Sequence, residues 1–424
     1  MRIILSFVLA HCCLLLVHGQ QEANYDEEKV PEYTLPDLLT AEDGTQITTA
    51  AEWEKHRRPE ILSLFESQVY GKVPDKEIEV KHEIITVNNN SLNGLATQKQ
   101  IRISFQGGGK ELSMMLLIYI PNKADKPVPA FLGLNFNGNH TITQDEGVLV
   151  TDSWVRNSRE LGISDNRTTE ALRGVSSDSW PLDMILERGY GLATIYYGDI
   201  DPDFDDVFSN GIHALFKENE DDVPGPDEWG SISAWAWGLS RALDYLDNEP
   251  GIDQDRVAVI GHSRLGKTAL WAGAADIRFA MVVTNNSGCG GAALSRREFG
   301  ETVRRINTVF PHWFCDNYTY WNDRIDESPV DQHQLIALIA PRPVYVASAL
   351  GDEWADPRGE FLSCLHADKV YRLLGTGGLP VTEMPEVNQP VISGTIGYHI
   401  RSGEHDLTVY DWEQYLDFAD RHLK

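Results

Sequence analysis

The sequence predicts an α/β protein, a three-layer sandwich with a mostly parallel central sheet and helices on both faces. Three observations predict it. Strand-like apolar runs come first in close succession, as in antiparallel pairing, and from residue 130 onward they alternate with helix-like segments. Apolar residues make up 42% of 424 residues, enough for a large core. Polar residues of chemical interest follow the strands, at the sheet edge where right-handed crossovers gather their loops.

The elements read as follows. Residues 1–19 hold one early arginine, Arg2, and an apolar run broken by His11, Cys12 and Cys13, then Val17-His18-Gly19. This is the pattern of an export leader, too short and poorly flanked for a stable membrane span. Residues 20–424 are then expected to form a single catalytic domain with an N-terminal extension over about residues 20–90. The acidic stretch 20–36 is expected to wrap the surface or fray. Residues 53–70 carry Ile61, Leu62, Leu64, Phe65 and Val69 at helical spacing. Strands are predicted over 78–87, 100–105, 112–120 and 130–136. Next come a helix over 180–188, a strand over 191–197, a long helix over 229–246 and a strand over 256–260. A helix over 264–273, a strand over 279–284, a helix over 331–339 and a strand over 344–349 continue the alternation. A helix over 358–374, a strand over 396–400 and a helix over 407–422 complete it.

Charge and cysteine usage exclude several function classes. A formal net charge of −28 argues against nucleic acid as a partner, since phosphate binding needs clustered Lys and Arg. Acidic loops such as 199–206 and 218–222 read as solvated surface. The series Asp201, Asp203, Asp205 lacks the glycine and terminal glutamate of a calcium loop. Once the leader leaves, Cys289, Cys315 and Cys364 remain, which allows at most one internal disulfide. None has a Cys or His partner at zinc-ligand spacing, so neither a metal nor a cofactor is expected.

Residues 257–268 satisfy two signatures at once. From Gly261 the segment reads Gly-x4-Gly-Lys-Thr, the phosphate loop of nucleotide-binding proteins, and residues 193–199 resemble a metal-binding strand end. From Ser263 it reads as a strand, a sharp turn bearing a serine, and a helix, the elbow of a serine hydrolase. An exported chain meets little nucleoside triphosphate. The elbow instead requires an acid and a histidine later in the chain, in the order Ser, acid, His. His405, in a Gly-x-His-Asp loop before the last helix, stands where the base belongs. Its rival His399 sits between Tyr398 and Ile400, as in a strand interior.

Gly261-His262-Ser263-Arg264-Leu265-Gly266-Lys267 resembles the elbow of the glucuronoyl esterases, carbohydrate esterases of the α/β-hydrolase superfamily. The resemblance extends over roughly residues 180–424, through Ala234-Trp-Ala-Trp-Gly-Leu-Ser-Arg241, Asn286-Ser-Gly-Cys-Gly-Gly291, Gly300-Glu-Thr302, Pro311-His-Trp-Phe314, Asp331-Gln-His333, Ala340-Pro-Arg-Pro343, Asp352-Glu-Trp-Ala-Asp-Pro357 and Gly403-Glu-His405. It implies Ser263 as nucleophile, His405 as base and Arg264 as the residue stabilising the oxyanion. Lys267, Glu301 and Trp354 would then line the uronate pocket, with a core anchor as the alternative role for Trp354. Fungal members carry a glutamate where this chain has Asn286, an uncharged residue able to orient a histidine but not to stabilise its charge. Some bacterial members place the acid after the following strand, where Asp352 stands, with Glu353 and Asp356 as rivals. The implied activity is hydrolysis of 4-O-methyl-glucuronate esters that join glucuronoxylan to lignin, in the periplasm or outside the cell. Deacetylation of a carbohydrate with the same triad is the alternative, and nucleotide binding the remote one.

Overall fold

The computed structural model describes residues 23–217, 219 and 224–424. The expected leader lies outside the described residues, as does most of the acidic stretch 218–222. Among the described residues, nine strands form one sheet: β1 Glu79–Asn90, β2 Ala96–Gly107, β3 Lys110–Pro121, β4 Val128–Asn135, β5 Gly191–Tyr196, β6 Ile252–His262, β7 Met281–Asn285, β8 Val344–Ala349 and β9 Ile396–Arg401. Their spatial order is β1-β2-β3-β5-β4-β6-β7-β8-β9. Pairing is antiparallel from β1 through β3 to β5 and parallel from there to β9. β4, β5 and β8 are buried along their whole length, which is why they read as continuous apolar runs without alternation.

Successive residues of the central strands feed two different cores. Leu132, Val257, Val259 and Val282 pack with the helices Arg58–Gln68, Ser231–Leu246, Arg264–Ala275, Gln332–Ala337 and Pro357–Leu373. Phe131, Ala258, Ile260 and Val283 face the opposite way, against the helices Leu182–Glu187 and Val409–His422. Two layers of helices thus cover the sheet, and burying both faces fixes its register. The chain runs from β4 outward to β5, then returns across β4 to β6. Connections therefore diverge between β4 and β6, and the crevice beyond their carboxyl ends is where such sheets bind ligands.

Three local departures from expectation have physical causes. The first helix begins at Ala50, and its turn over Trp53–Arg57 widens so that the Arg58 N–H donates to Trp53 O. Pro59 lacks an N–H and its ring crowds the preceding turn, so an ordinary α-turn fails there. The last helix starts at Val409, not 407, because Thr408 and Asp411 form a reciprocal cap. Residues 199–206, expected as solvated surface, instead place Asp199, Asp201 and Asp203 in the interior. Asp199 accepts from the Ser153 and Thr151 hydroxyls, and Asp201 from the Ser231 hydroxyl and the His213 ring. Each buried carboxylate has its own donors, which is the condition for burying it.

The N-terminal stretch wraps rather than frays from residue 24 onward. Gly300 N–H donates to Asn24 O at 2.8 Å, Tyr25 meets Phe299 edge-on, and Glu27 pairs with Arg297 at 2.6 Å. Arg297 also binds Asp356, the N-cap of the helix Pro357–Leu373. The stretch therefore fastens the loop that carries Glu301.

Candidate active site

The turn between β6 and the helix Arg264–Ala275 presents Ser263 with φ 59° and ψ −128°, a conformation costly for a residue with a side chain. Its surroundings hold it there. Ser263 N–H donates to Asn285 O on β7, and the N–H groups of Gly266 and Lys267 donate back to Ser263 O. A Cβ at Gly261 would sit 1.9 Å from Leu265 O, so only glycine lets strand and helix approach so closely. The same geometry removes the phosphate-loop reading. The helix begins at Arg264, and the amides of Gly266 and Lys267 are spent on Ser263 O. Two amides that a phosphate cradle would need are therefore taken up by the turn itself.

Three residues from three loops meet at this turn. His405 Nε2 lies 2.9 Å from Ser263 Oγ, and His405 Nδ1 lies 2.6 Å from Asp352 Oδ2. Asp352, 5% exposed, follows β8, whereas His405 follows β9 and is half exposed. Burial raises the Asp352 carboxyl, but His405 and the Asn286 amide more than offset this, leaving it below the ordinary carboxylate value. Asn286 does not orient His405; its Nδ2 donates to Asp352 Oδ2 at 2.7 Å. Glu353, the neighbouring acid, is exposed, and Asp356 is bound to Arg297. His399 lies inside β9 between the Tyr345 hydroxyl and Asp411, as its strand neighbours suggested.

Beneath His405 lies a residue the sequence did not single out. The His262 ring stands 4.6 Å from the His405 ring, and its Nδ1 meets Asn285 Oδ1 at 2.6 Å. Asn285 in turn donates to the Tyr415 hydroxyl. Burial, reinforced by His405, pushes His262 down to about 3. Its folded value lies below the ordinary 6.5, so protonation favours unfolding. The associated stability is complete above pH 6.5 and drains as pH falls toward 3. In urea unfolding at pH 6.5 and pH 4, the wild type should lose up to about 3 kcal/mol more than His262→Asn. Equal losses in both proteins would place the acid-sensitive group elsewhere.

Arg264, the first residue of the helix, extends into a charged and aromatic clamp. Its Nη1 donates to Asp203 Oδ2, and its guanidinium lies 4.9 Å from the centre of the Trp313 ring, with Phe136 and Phe310 near it. On the same helix Lys267 is buried. Its Nζ donates to Ser287 O at 2.6 Å and stands 3.7 Å from Glu301. Burial raises the Glu301 carboxyl, and Lys267 and Trp354 counter this only in part. Glu301 N–H also donates to Trp354 O. Trp354 is 37% exposed, which rules out a core anchor. Lys267, Glu301 and Trp354 thus form one cluster beside the serine.

Glu360 also escaped the sequence reading. Fully buried on the helix Pro357–Leu373, it accepts from the Ser287 and Gly288 N–H groups and from the Ser348 hydroxyl. It pins the turn that presents Asn286 to Asp352 and Ser287 O to Lys267. No motif spacing marks it. Cys289, Cys315 and Cys364 are buried free thiols, so no disulfide forms among them. Among the described residues, no three His, Cys, Asp or Glu side chains are grouped to hold a metal ion.

A family model described as "Glucuronyl esterase, fungi" matches residues 222–375. The carbohydrate esterase MZ0003 from an unknown prokaryotic organism is 54% identical over 94% of this chain and 92% of its own. A solved glucuronoyl esterase from Solibacter usitatus is 46% identical, with a TM-score of 0.87 over 94% of this chain and 100% of its own.

The chain belongs to the glucuronoyl esterase family.

It is accordingly a carboxylic ester hydrolase with the α/β-hydrolase fold. A more distant glucuronoyl esterase, the 4-O-methyl-glucuronoyl methylesterase of Schizophyllum commune, is 27% identical over 80% of this chain and 74% of its own. The antiparallel β1–β3 end of the sheet lies remote from the carboxyl ends of β6, β7, β8 and β9, after which Ser263, Asn286, Asp352 and His405 stand. In this glucuronoyl esterase the serine, its neighbours and the Lys267 cluster therefore share one edge of one sheet.

Proposed function

We propose that the chain is a serine esterase that hydrolyses esters of 4-O-methyl-glucuronate, including those joining glucuronoxylan to lignin alcohols. The observation that carries the proposal is the chain of hydrogen bonds Ser263–His405–Asp352 beside the buried Lys267–Glu301 pair. The name of the Schizophyllum commune relative supports the substrate class.

His405 Nε2 takes the Ser263 proton as Oγ attacks the ester carbonyl. Negative charge then builds on the carbonyl oxygen, where the Arg264 guanidinium and the N–H groups at its helix start supply donors. As the tetrahedral species collapses, His405 gives its proton to the departing alcohol, leaving a uronyl ester on Ser263. Water then attacks that ester, deprotonated by the same imidazole, and releases the uronic acid and the serine. Asp352 fixes the His405 tautomer and stabilises the imidazolium in both half-reactions. No cofactor enters the cycle. Lys267 and Glu301 serve to hold sugar hydroxyls, with Trp354 as an exposed flat surface against the ring.

The leader pattern at 1–19 supports export to the periplasm or the medium, and we read residues 20–424 as a single catalytic domain with an N-terminal extension over about residues 20–90. Among the described residues, no helix is long and apolar enough to cross a membrane. The net charge of −28 argues against a nucleic-acid partner.

Hydrolysis of benzyl glucuronate beside a simple acetyl ester tests the substrate assignment. Lys267→Ala should lower kcat/KM for the glucuronate ester by about 10- to 100-fold, as expected for hydrogen bonds to a charged group, and leave the acetyl ester nearly unaffected. Equal losses on both substrates would place Lys267 in the chemistry or the fold.

A further inference from the structure

We infer that Asp203 is a positioning residue for the reaction, anchoring Arg264 so that its charge faces the developing oxyanion. The inference rests on the oxyanion role proposed for Arg264. Asp203 is fully buried, and donors from four separate parts of the chain converge on it. Oδ1 accepts from the His312 ring Nε2 at 2.9 Å and from the Trp313 indole at 2.8 Å. Oδ2 accepts from the Tyr197 hydroxyl at 3.0 Å and from Arg264 Nη1, and it forms an ion pair with Arg156 Nη2 at 3.2 Å, whose hydrogen bond goes to Asp203 O. The opposing effects on this carboxyl are large: burial would raise it, but His312, Arg264 and Arg156 hold it well below the ordinary value. A carboxylate so supplied with donors stays ionised across the pH range in which a serine esterase works.

The consequence for Arg264 is geometric. An arginine side chain has several rotatable bonds, and free rotation would spread its charge over many positions. Here one end of the fork is fixed by Asp203, and its face is held against Trp313, which stacks on Phe310 at 3.8 Å. The remaining donors are thereby set before substrate arrives, and preorganisation is what makes such donors effective. His312 and Trp313 serve the same end by holding Asp203. The alternating acids Asp201, Asp203 and Asp205 give no sign in sequence that Asp203 pairs with Arg264.

The test is a double-mutant cycle on benzyl glucuronate and an acetyl ester. Asp203→Asn should lower kcat by about 10- to 100-fold with little change in KM, less than the loss of an oxyanion donor itself. The loss should be equal on the two esters, unlike that of Lys267→Ala, because the carbonyl is common to both. In an Arg264→Ala background Asp203→Asn should cost nothing further in kcat. Should Asp203→Asn not fold, Asp203→Glu, which keeps the charge but moves it, serves in the same cycle with the same expectations. Wild-type kcat in the variant that folds, or a further loss of similar size in the Arg264→Ala background, would overturn the positioning role. Retention of wild-type kcat by Arg264→Ala alone would instead overturn the oxyanion role on which it rests.

Discussion

Ser263→Ala and His405→Ala should each reduce benzyl glucuronate hydrolysis to near the uncatalysed background, a loss on the order of 10⁴- to 10⁶-fold in kcat. In the proposed mechanism the two side chains act in one proton transfer across the 2.9 Å between His405 Nε2 and Ser263 Oγ. Removing either leaves the other nothing to do, so the double variant should be little slower than either single one. Each variant should still bind glucuronate, because the Lys267–Glu301 pair is untouched. Binding of the free acid by calorimetry, measured beside the rate, separates lost chemistry from lost structure. Independent losses that multiply in the double variant would mean the two residues belong to different steps, and the triad assignment would fall.

The second large effect is expected at Asp352. Asp352→Asn should cost about 10³- to 10⁴-fold in kcat, because an amide beside His405 stabilises neither the required tautomer nor the imidazolium. Asn286→Ala removes one donor from that carboxylate, a bond to a charged acceptor worth about 1.5–3 kcal/mol, and should cost no more than about 100-fold. Glu353→Gln should be near wild type, since Glu353 is exposed and Asp352 alone reaches His405. Near wild-type turnover in Asp352→Asn together with a large loss in Glu353→Gln would move the acid by one residue. High activity in both would mean that the imidazole relies on a different partner.

The parts of this molecule that announce themselves in sequence are those governed by local pattern. β4, β5 and β8 are visible because strands buried on both faces must be apolar throughout, and the helices between them because one stripe faces the sheet. Ser263, Asp352 and His405 are legible because the order of strands brings their loops to one edge, so chain order stands in for distance. Asp203 is not legible, since its burial depends on Arg264, 61 residues away, and on His312, 109 residues away. In isolation its neighbourhood reads as water-facing acid. The proximity of Lys267 to Ser263 is legible but its burial is not, because the residue that pairs with it, Glu301, arrives from a loop held by the N-terminal stretch. The role of Asn286 shifts for the same reason. Sequence shows it beside the site, and only the fold shows that its amide points to the acid rather than the base.

The position of β9 at the edge of the sheet bears on how the protein becomes active. His405 follows this strand and is 142 residues from Ser263, and among the named strands of the described residues β9 pairs with β8, its outer edge meeting the segment around Val391. Nothing local draws the two side chains together; loop closure over that span must be met before any contact rewards it. During refolding, β1 to β8 and much of the core beneath the helices Ser231–Leu246 and Arg264–Ala275 can assemble while Ser263 still lacks His405. Return of catalysis then reports the docking of the last strand, and it should lag behind the burial of Trp235 and Trp271, which lie in the earlier core.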